Sequence, residues 1–140
     1  MKLAILLLGA FLSLNLFAGD IVGKWKTIDD KTKLPKSVVE ITQAADGTYI
    51  GKVIKIFGED QNPKCEACEG ALKGRPIIGM QIITGMKKEG DEFKGGTIFD
   101  PKENKTYKCI LKVEGTNLSV RGYIGISLIG RTQTWTSFQE

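Results

Sequence analysis

From Ile21 onward the chain alternates. Lys24 and Lys26 stand against Gly23, Trp25 and Thr27; Lys108 and Lys112 oppose Tyr107, Cys109, Leu111 and Val113; Ser119 and Arg121 oppose Leu118 and Val120. Successive side chains of a strand point to opposite faces of a sheet, so a period of two predicts strands with one wet and one dry face. Such runs recur between clusters of Gly, Asn, Asp and Pro and predict eight strands, at 21–28, 37–42, 48–57, 81–86, 92–99, 106–113, 117–124 and 131–138. Most connections are short enough for hairpins, such as Ala45-Asp46-Gly47 and Glu114-Gly115-Thr116. Sequential hairpins favour an up-and-down meander, and closing the sheet removes the edges that invite aggregation. The expected fold is therefore all-β: an eight-stranded antiparallel up-and-down barrel, whose interior has room for its own side chains or one small ligand.

Composition agrees with the pattern. From residue 19 on, Val, Ile and Thr number 32 against 9 for Ala and Leu, and 16 glycines are spread along the chain. Met1-Lys2 followed by sixteen uncharged, mostly apolar residues and then Gly19-Asp20 predicts a signal peptide over 1–18 and a mature domain over 19–140, exported to the periplasm or the medium. The run is short for a membrane helix and no cysteine follows it, which argues against a stable membrane anchor. Lys+Arg 20 against Asp+Glu 16 gives +4 with three arginines only, a solvated surface rather than one that reads nucleic acid. A monomer is expected.

Export changes the meaning of the three cysteines, because an oxidising compartment favours disulfides. Cys65-Glu66-Ala67-Cys68 lies in the one long excursion, 58–79. A structural bridge, a thioredoxin-type redox pair and half a zinc site all fit the spacing. Glu66 and Glu69 disfavour a stabilised thiolate, and a chain without histidine and with one further cysteine is short of zinc ligands. The structural bridge is the preferred reading. Cys109, on the apolar face of its strand, is expected to be a buried, inert thiol.

Gly23-x-Trp25 resembles the opening motif of the lipocalins and their calycin relatives. The wider pattern resembles a family of small exported bacterial proteins, classed as a domain of unknown function, with a lipocalin-like barrel. The matching residues are Gly23-x-Trp25, Asp46-Gly47 with Gly51, Cys65-x-x-Cys68, Arg75-Pro76-Ile77-x-Gly79, Gly95-Gly96-x-Ile98-x-Asp100-Pro101 with Lys105-x-Tyr107, Val120-Arg121-Gly122-Tyr123-Ile124-Gly125, and Gly130-Arg131-Thr132-x-Thr134-Trp135. In lipocalins the tryptophan closes the barrel floor against a basic residue of the last strand. The resemblance thus pairs Trp25 with Arg131, a guanidinium-on-indole contact of about 0.5–2 kcal/mol. It implies fold and export, and brings no catalytic residues.

The candidate ligand-binding residues are Trp25, Tyr49, Phe93, Tyr107, Tyr123 and Arg131, as a lumen lined by aromatics with a few polar tips suits a small hydrophobic or amphipathic molecule. No cofactor is implied. The absence of histidine removes the commonest general base and the usual triads, so binding is expected rather than catalysis; loop carboxylates such as Glu59 and Asp60 would need a cleft to the lumen to act. The alternative is an interaction module in the envelope that uses the 58–79 loop over a filled barrel. It predicts exposed apolar residues at Phe57 and over 77–82. Trp135 and Phe138 fall on opposite faces of the last strand, so one of them is expected to be exposed.

Overall fold

The computed structural model describes residues 20–140; the segment read as a signal peptide lies outside them. Eight strands form one closed antiparallel barrel: β1 (Gly23–Ile28), β2 (Pro35–Gln43), β3 (Tyr49–Ile56), β4 (Gln81–Glu89), β5 (Glu92–Asp100), β6 (Lys105–Glu114), β7 (Asn117–Tyr123) and β8 (Gly130–Ser137), each paired with the next and β8 with β1. The expected fold is the observed one. Because direction alternates, the connections β2–β3, β4–β5 and β6–β7 fall at one end and the other four at the opposite end. The first end is pinched. Gly90-Asp91 and Gly115-Thr116 make two-residue turns, with Gly90 at φ 65° and Gly115 at φ 62°, the left-handed backbone such hairpins require. The second end carries the segments 29–34, 57–80, 101–104 and 124–129.

Side chains fill the pinched half. Ile41, Ile83, Met86, Phe93, Leu111 and Leu118 are fully buried there, and Tyr49 meets Phe93 edge to face at 4.9 Å between ring centroids. Trp25 joins this cluster and donates its indole N–H to the Ile21 carbonyl at 2.8 Å.

The barrel closes thinly. β1 and β8 pair at Trp25↔Ser137 and Lys26↔Thr136, continued by the Phe138 N–H donating to the Lys24 carbonyl at 2.9 Å. Toward the other end β8 keeps its ladder with β7, while the link to the β1 side is made by side chains described below. Phe138 is half-buried and packs on Phe57 with 6.2 Å between centroids, under the Lys55 ammonium. Trp135 is buried. Neither aromatic is left bare, contrary to the expectation from strict alternation, because the chain beyond β8 folds against Phe57.

Curling eight strands around so small an interior brings backbones into contact at glycines. A Cβ on Gly96 would collide with the Thr84 carbonyl oxygen, and would lie 2.6 Å from Met86 Sδ and 2.7 Å from the Gly85 carbonyl carbon. The β5–β6 register shifts between Phe93 and Gly96, so Gly95-Gly96 is a bulge where β5 bends against β4. Cys109 faces this interior, and burial pushes its thiol up to about 12 from 9.0.

Two outcomes follow. Gly96→Ala should cost at least about 2 kcal/mol in urea unfolding, since backbone rather than a movable side chain blocks the added methyl. For Cys109 the folded pKa is the raised one, so its contribution is intact below pH 9 and is lost as pH rises toward about 12. Between pH 9 and 11 the native protein should lose up to about 1.4 kcal/mol per pH unit more than Cys109→Ala does, read as the difference in urea midpoints.

Candidate functional site

Above the filled half the lumen is open. A cavity of about 990 Å³ runs from Val53, Ile82, Ile98, Val120 and Trp135 to the end bearing the long connections. Its floor is apolar apart from one hydroxyl pair, Thr27 Oγ1 and Ser37 Oγ at 2.7 Å, which satisfy each other while buried. Gly122 also faces the cavity; a Cβ there would sit 3.6 Å from the Tyr107 Cβ, an ordinary contact.

One wall is polar. Residues 131, 133 and 135 of β8 share the lumen face by the two-residue period. The Trp135 indole N–H donates to Gln133 Oε1 at 3.1 Å, and Gln133 Nε2 donates to Asp30 Oδ2 at 2.9 Å. Arg131 Nη2 approaches the same carboxylate oxygen at 2.7 Å. This chain of bonds spans the stretch where β1 and β8 no longer share a ladder. Across the mouth, Tyr107 donates to Glu103 Oε2 at 3.3 Å; partial burial and the adjacent carboxylate raise the phenol's pKa. Asp29, beside Asp30, accepts the backbone N–H groups of Thr32 and Lys31 at 2.8 and 2.9 Å, and these bonds hold its carboxyl below the usual range.

The long connection forms part of the rim and is itself stapled. Cys65 and Cys68 are bonded and buried. Lys64 bridges Pro76, the Cys65 N–H donates to the Arg75 carbonyl at 2.8 Å and the Ile77 N–H to the Pro63 carbonyl at 3.0 Å. The segment is a small hairpin folded on itself. It reaches over to the β5–β6 turn, where Cys65 Sγ lies 3.3 Å from the Pro101 carbonyl oxygen.

Of the six residues named from sequence, Tyr107, Tyr123 and Arg131 line the cavity, whereas Trp25, Tyr49 and Phe93 lie in the packed half beneath it. The Trp25–Arg131 stack is corrected. Trp25 pairs with Ser137, six residues along β8 from Arg131 or roughly 20 Å at strand rise, and the guanidinium goes to Asp30 instead. Asp30, Gln133, Val53, Ile98 and Val120 were not named. Gln133 carried a signal, its place midway between Arg131 and Trp135; Asp30 sits in a turn and carried none. The apolar exposure expected at Phe57 and 77–82 is also corrected: Phe57 and Ile77 are half-buried and Ile82 buried, while Ile124, Ile126, Leu128 and Ile129 stand 58–86% exposed. Glu59 and Asp60 are exposed and stand outside the cavity lining, where Glu66 is the carboxylate that the 58–79 loop contributes.

A family model described as "Uncharacterized protein conserved in bacteria (DUF2147)" matches residues 23–137, the span from the first residue of β1 to the last of β8. Among solved structures, protein HP1028 from the human pathogen Helicobacter pylori, described as belonging to the lipocalin family, is similar with a TM-score of 0.76 at 19% identity, over 86% of this chain and 84% of that one. At that identity the likeness carries the fold. No curated protein matches.

The two tryptophan and arginine positions should separate cleanly in unfolding experiments. Arg131 is 74% exposed, so Arg131→Met should cost no more than about 1 kcal/mol. Trp25→Ala should cost about 3–5 kcal/mol. Equal losses would restore the stacked closure.

Proposed function

We propose that this chain, which belongs to the bacterial family DUF2147, binds a small hydrophobic or amphipathic molecule in the open half of its lipocalin-like barrel. The observation that carries the reading is the cavity of about 990 Å³ itself, at the upper end of the usual range for small-molecule sites. Its apolar floor suits a hydrocarbon body, and the Asp30–Arg131–Gln133 wall and the Tyr107 and Tyr123 phenols suit a polar head near the mouth. Binding is reversible, needs no cofactor and involves no chemistry on the ligand. An arginine already paired with Asp30 favours heads that accept or donate hydrogen bonds over heads that must displace the carboxylate.

Export completes the proposal. It rests on Met1-Lys2 and the apolar run 3–18, and a bridged Cys65–Cys68 suits an oxidising compartment. In the alternative, the 58–79 loop would be an interaction surface. That loop exposes Leu72 alone among its large apolar side chains, which favours the lumen.

Protein purified without detergent from an exporting host, examined by native mass spectrometry and titrated with a fluorescent fatty acid, tests the reading. Binding should perturb Trp135 emission, and Gly122→Phe, which projects a ring into the cavity from a position with room for a Cβ, should weaken it at least about tenfold, or 1.4 kcal/mol. An empty native protein that ignores the probe, or equal binding by the variant, would sink the lumen reading.

A further inference from the structure

The β7–β8 connection bares its apolar side chains at the cavity mouth. From Gly122 to Gly130 the sequence Gly-Tyr-Ile-Gly-Ile-Ser-Leu-Ile-Gly holds no charge. Ile124 is 65% exposed, Ile126 58%, Leu128 86% and Ile129 71%. Single exposed apolar residues are ordinary on a protein surface; four within six positions are not. Nor is the loop loose. Arg121 donates from Nε and Nη2 to the Ser127 carbonyl at 2.9 and 2.7 Å, and the Ile129 N–H donates to the Ile126 carbonyl at 3.1 Å. The chain holds these side chains out in water by fixing the backbone between them.

The neighbouring turn, with Lys36 just beyond it, adds a net positive charge. Residues 29–34 are tied to β8 through Asp30, and there Leu34 is 63% exposed between Lys33 and Lys36, with Lys31 close by. The two acidic groups of that turn are engaged, Asp29 by backbone N–H groups and Asp30 by Arg131 and Gln133. Among the described residues no carboxylate lies within ion-pair distance of Lys31, Lys33 or Lys36. The mouth therefore presents five bare aliphatic side chains edged on the β1–β2 side by the ammonium groups of Lys31, Lys33 and Lys36, while the carboxylates of Glu66, Asp100 and Glu103 lie on other parts of the rim.

We propose that this end of the barrel docks on an anionic phospholipid bilayer, with Ile124, Ile126, Leu128 and Ile129 in the interfacial zone and the three lysines on headgroup phosphates. Shallow apolar insertion joined to electrostatic attraction is the combination that holds peripheral proteins on membranes. A second copy fits less well. A two-fold contact through the tip would set the lysines of each copy against those of the other, and four side chains on one loop fall far short of the roughly 20–30 residues a side of a standard interface. Docking in this orientation faces the cavity mouth to the bilayer, so an apolar ligand would pass between lipid and lumen without crossing water; that last step rests on the lumen reading, and docking itself does not.

The test is co-sedimentation with sucrose-loaded vesicles of phosphatidylcholine, with and without about a third phosphatidylglycerol, beside fatty-acid titration of the same samples. The native protein should bind the anionic vesicles, less so with rising salt. Ile126→Asp with Leu128→Asp should lower partitioning at least about tenfold, and Lys33→Glu should weaken it with a smaller salt dependence. Ile126 and Leu128 do not line the cavity, so their variant should still take up the fatty acid, and melting curves confirm that exposed positions leave the fold intact. Native protein that stays in the supernatant, loop-variant binding equal to native, or a concentration-dependent dimer abolished by the same substitutions would overturn the proposal. Fatty acid without vesicle binding would sink docking and leave the lumen standing. Vesicle binding without fatty acid would do the reverse.

Discussion

The seam between the first and last strands is the constraint on which the rest of the molecule depends. A sheet of eight strands becomes a barrel only when β8 finds β1, and here the backbone meets at Trp25↔Ser137 and Lys26↔Thr136. Everything on the pinched side of that seam is packed: the indole of Trp25 is capped by Ile21 and surrounded by buried aliphatic and aromatic side chains. On the other side the strands separate, and Asp30, Arg131 and Gln133 span the gap. The same feature gives the lumen a filled half that supplies stability and an open half whose polar wall is also part of its closure.

Connectivity explains why the division runs across the barrel rather than along it. The two-residue turns all fall at one end, and a closed sheet pinched by tight hairpins leaves a volume that side chains alone fill. The long connections fall at the other end, where the stapled hairpin of 57–80 and the aliphatic loop of 124–129 form the rim. The likeness to a lipocalin-family structure agrees with a closed barrel.

Much of this was legible in the sequence, for a local reason. Strand positions follow from alternation and from glycines that must turn, signals carried within a few residues, and the eight predicted strands are the eight observed. Alternation also placed Tyr107 on the lumen face with Cys109, Leu111 and Val113. It gave a face and never a height along the barrel, which depends on the register of every neighbouring strand; hence Trp25, Tyr49 and Phe93 were grouped with residues from the opposite half, and Arg131 was matched to an indole it cannot reach. The partner it does have, Asp30, reaches the wall through a turn whose path no periodicity encodes. The run 125–130 was legible only as a connection between strands; that its Ile and Leu side chains stand in water is decided by where the neighbouring strands stop.

The placement of the three cysteines bears on how the chain is oxidised as it folds. In an unfolded chain three thiols allow three single bridges, two of which close loops of more than forty residues and one of which closes four. Closure entropy favours the short loop, so the pairing that forms most readily is the native Cys65–Cys68. When β6 joins the sheet, Cys109 is carried into the interior and its thiol is held protonated, which removes the one nucleophile in the chain able to attack that bridge. Burial of the third thiol thereby works against disulfide exchange within the folded molecule.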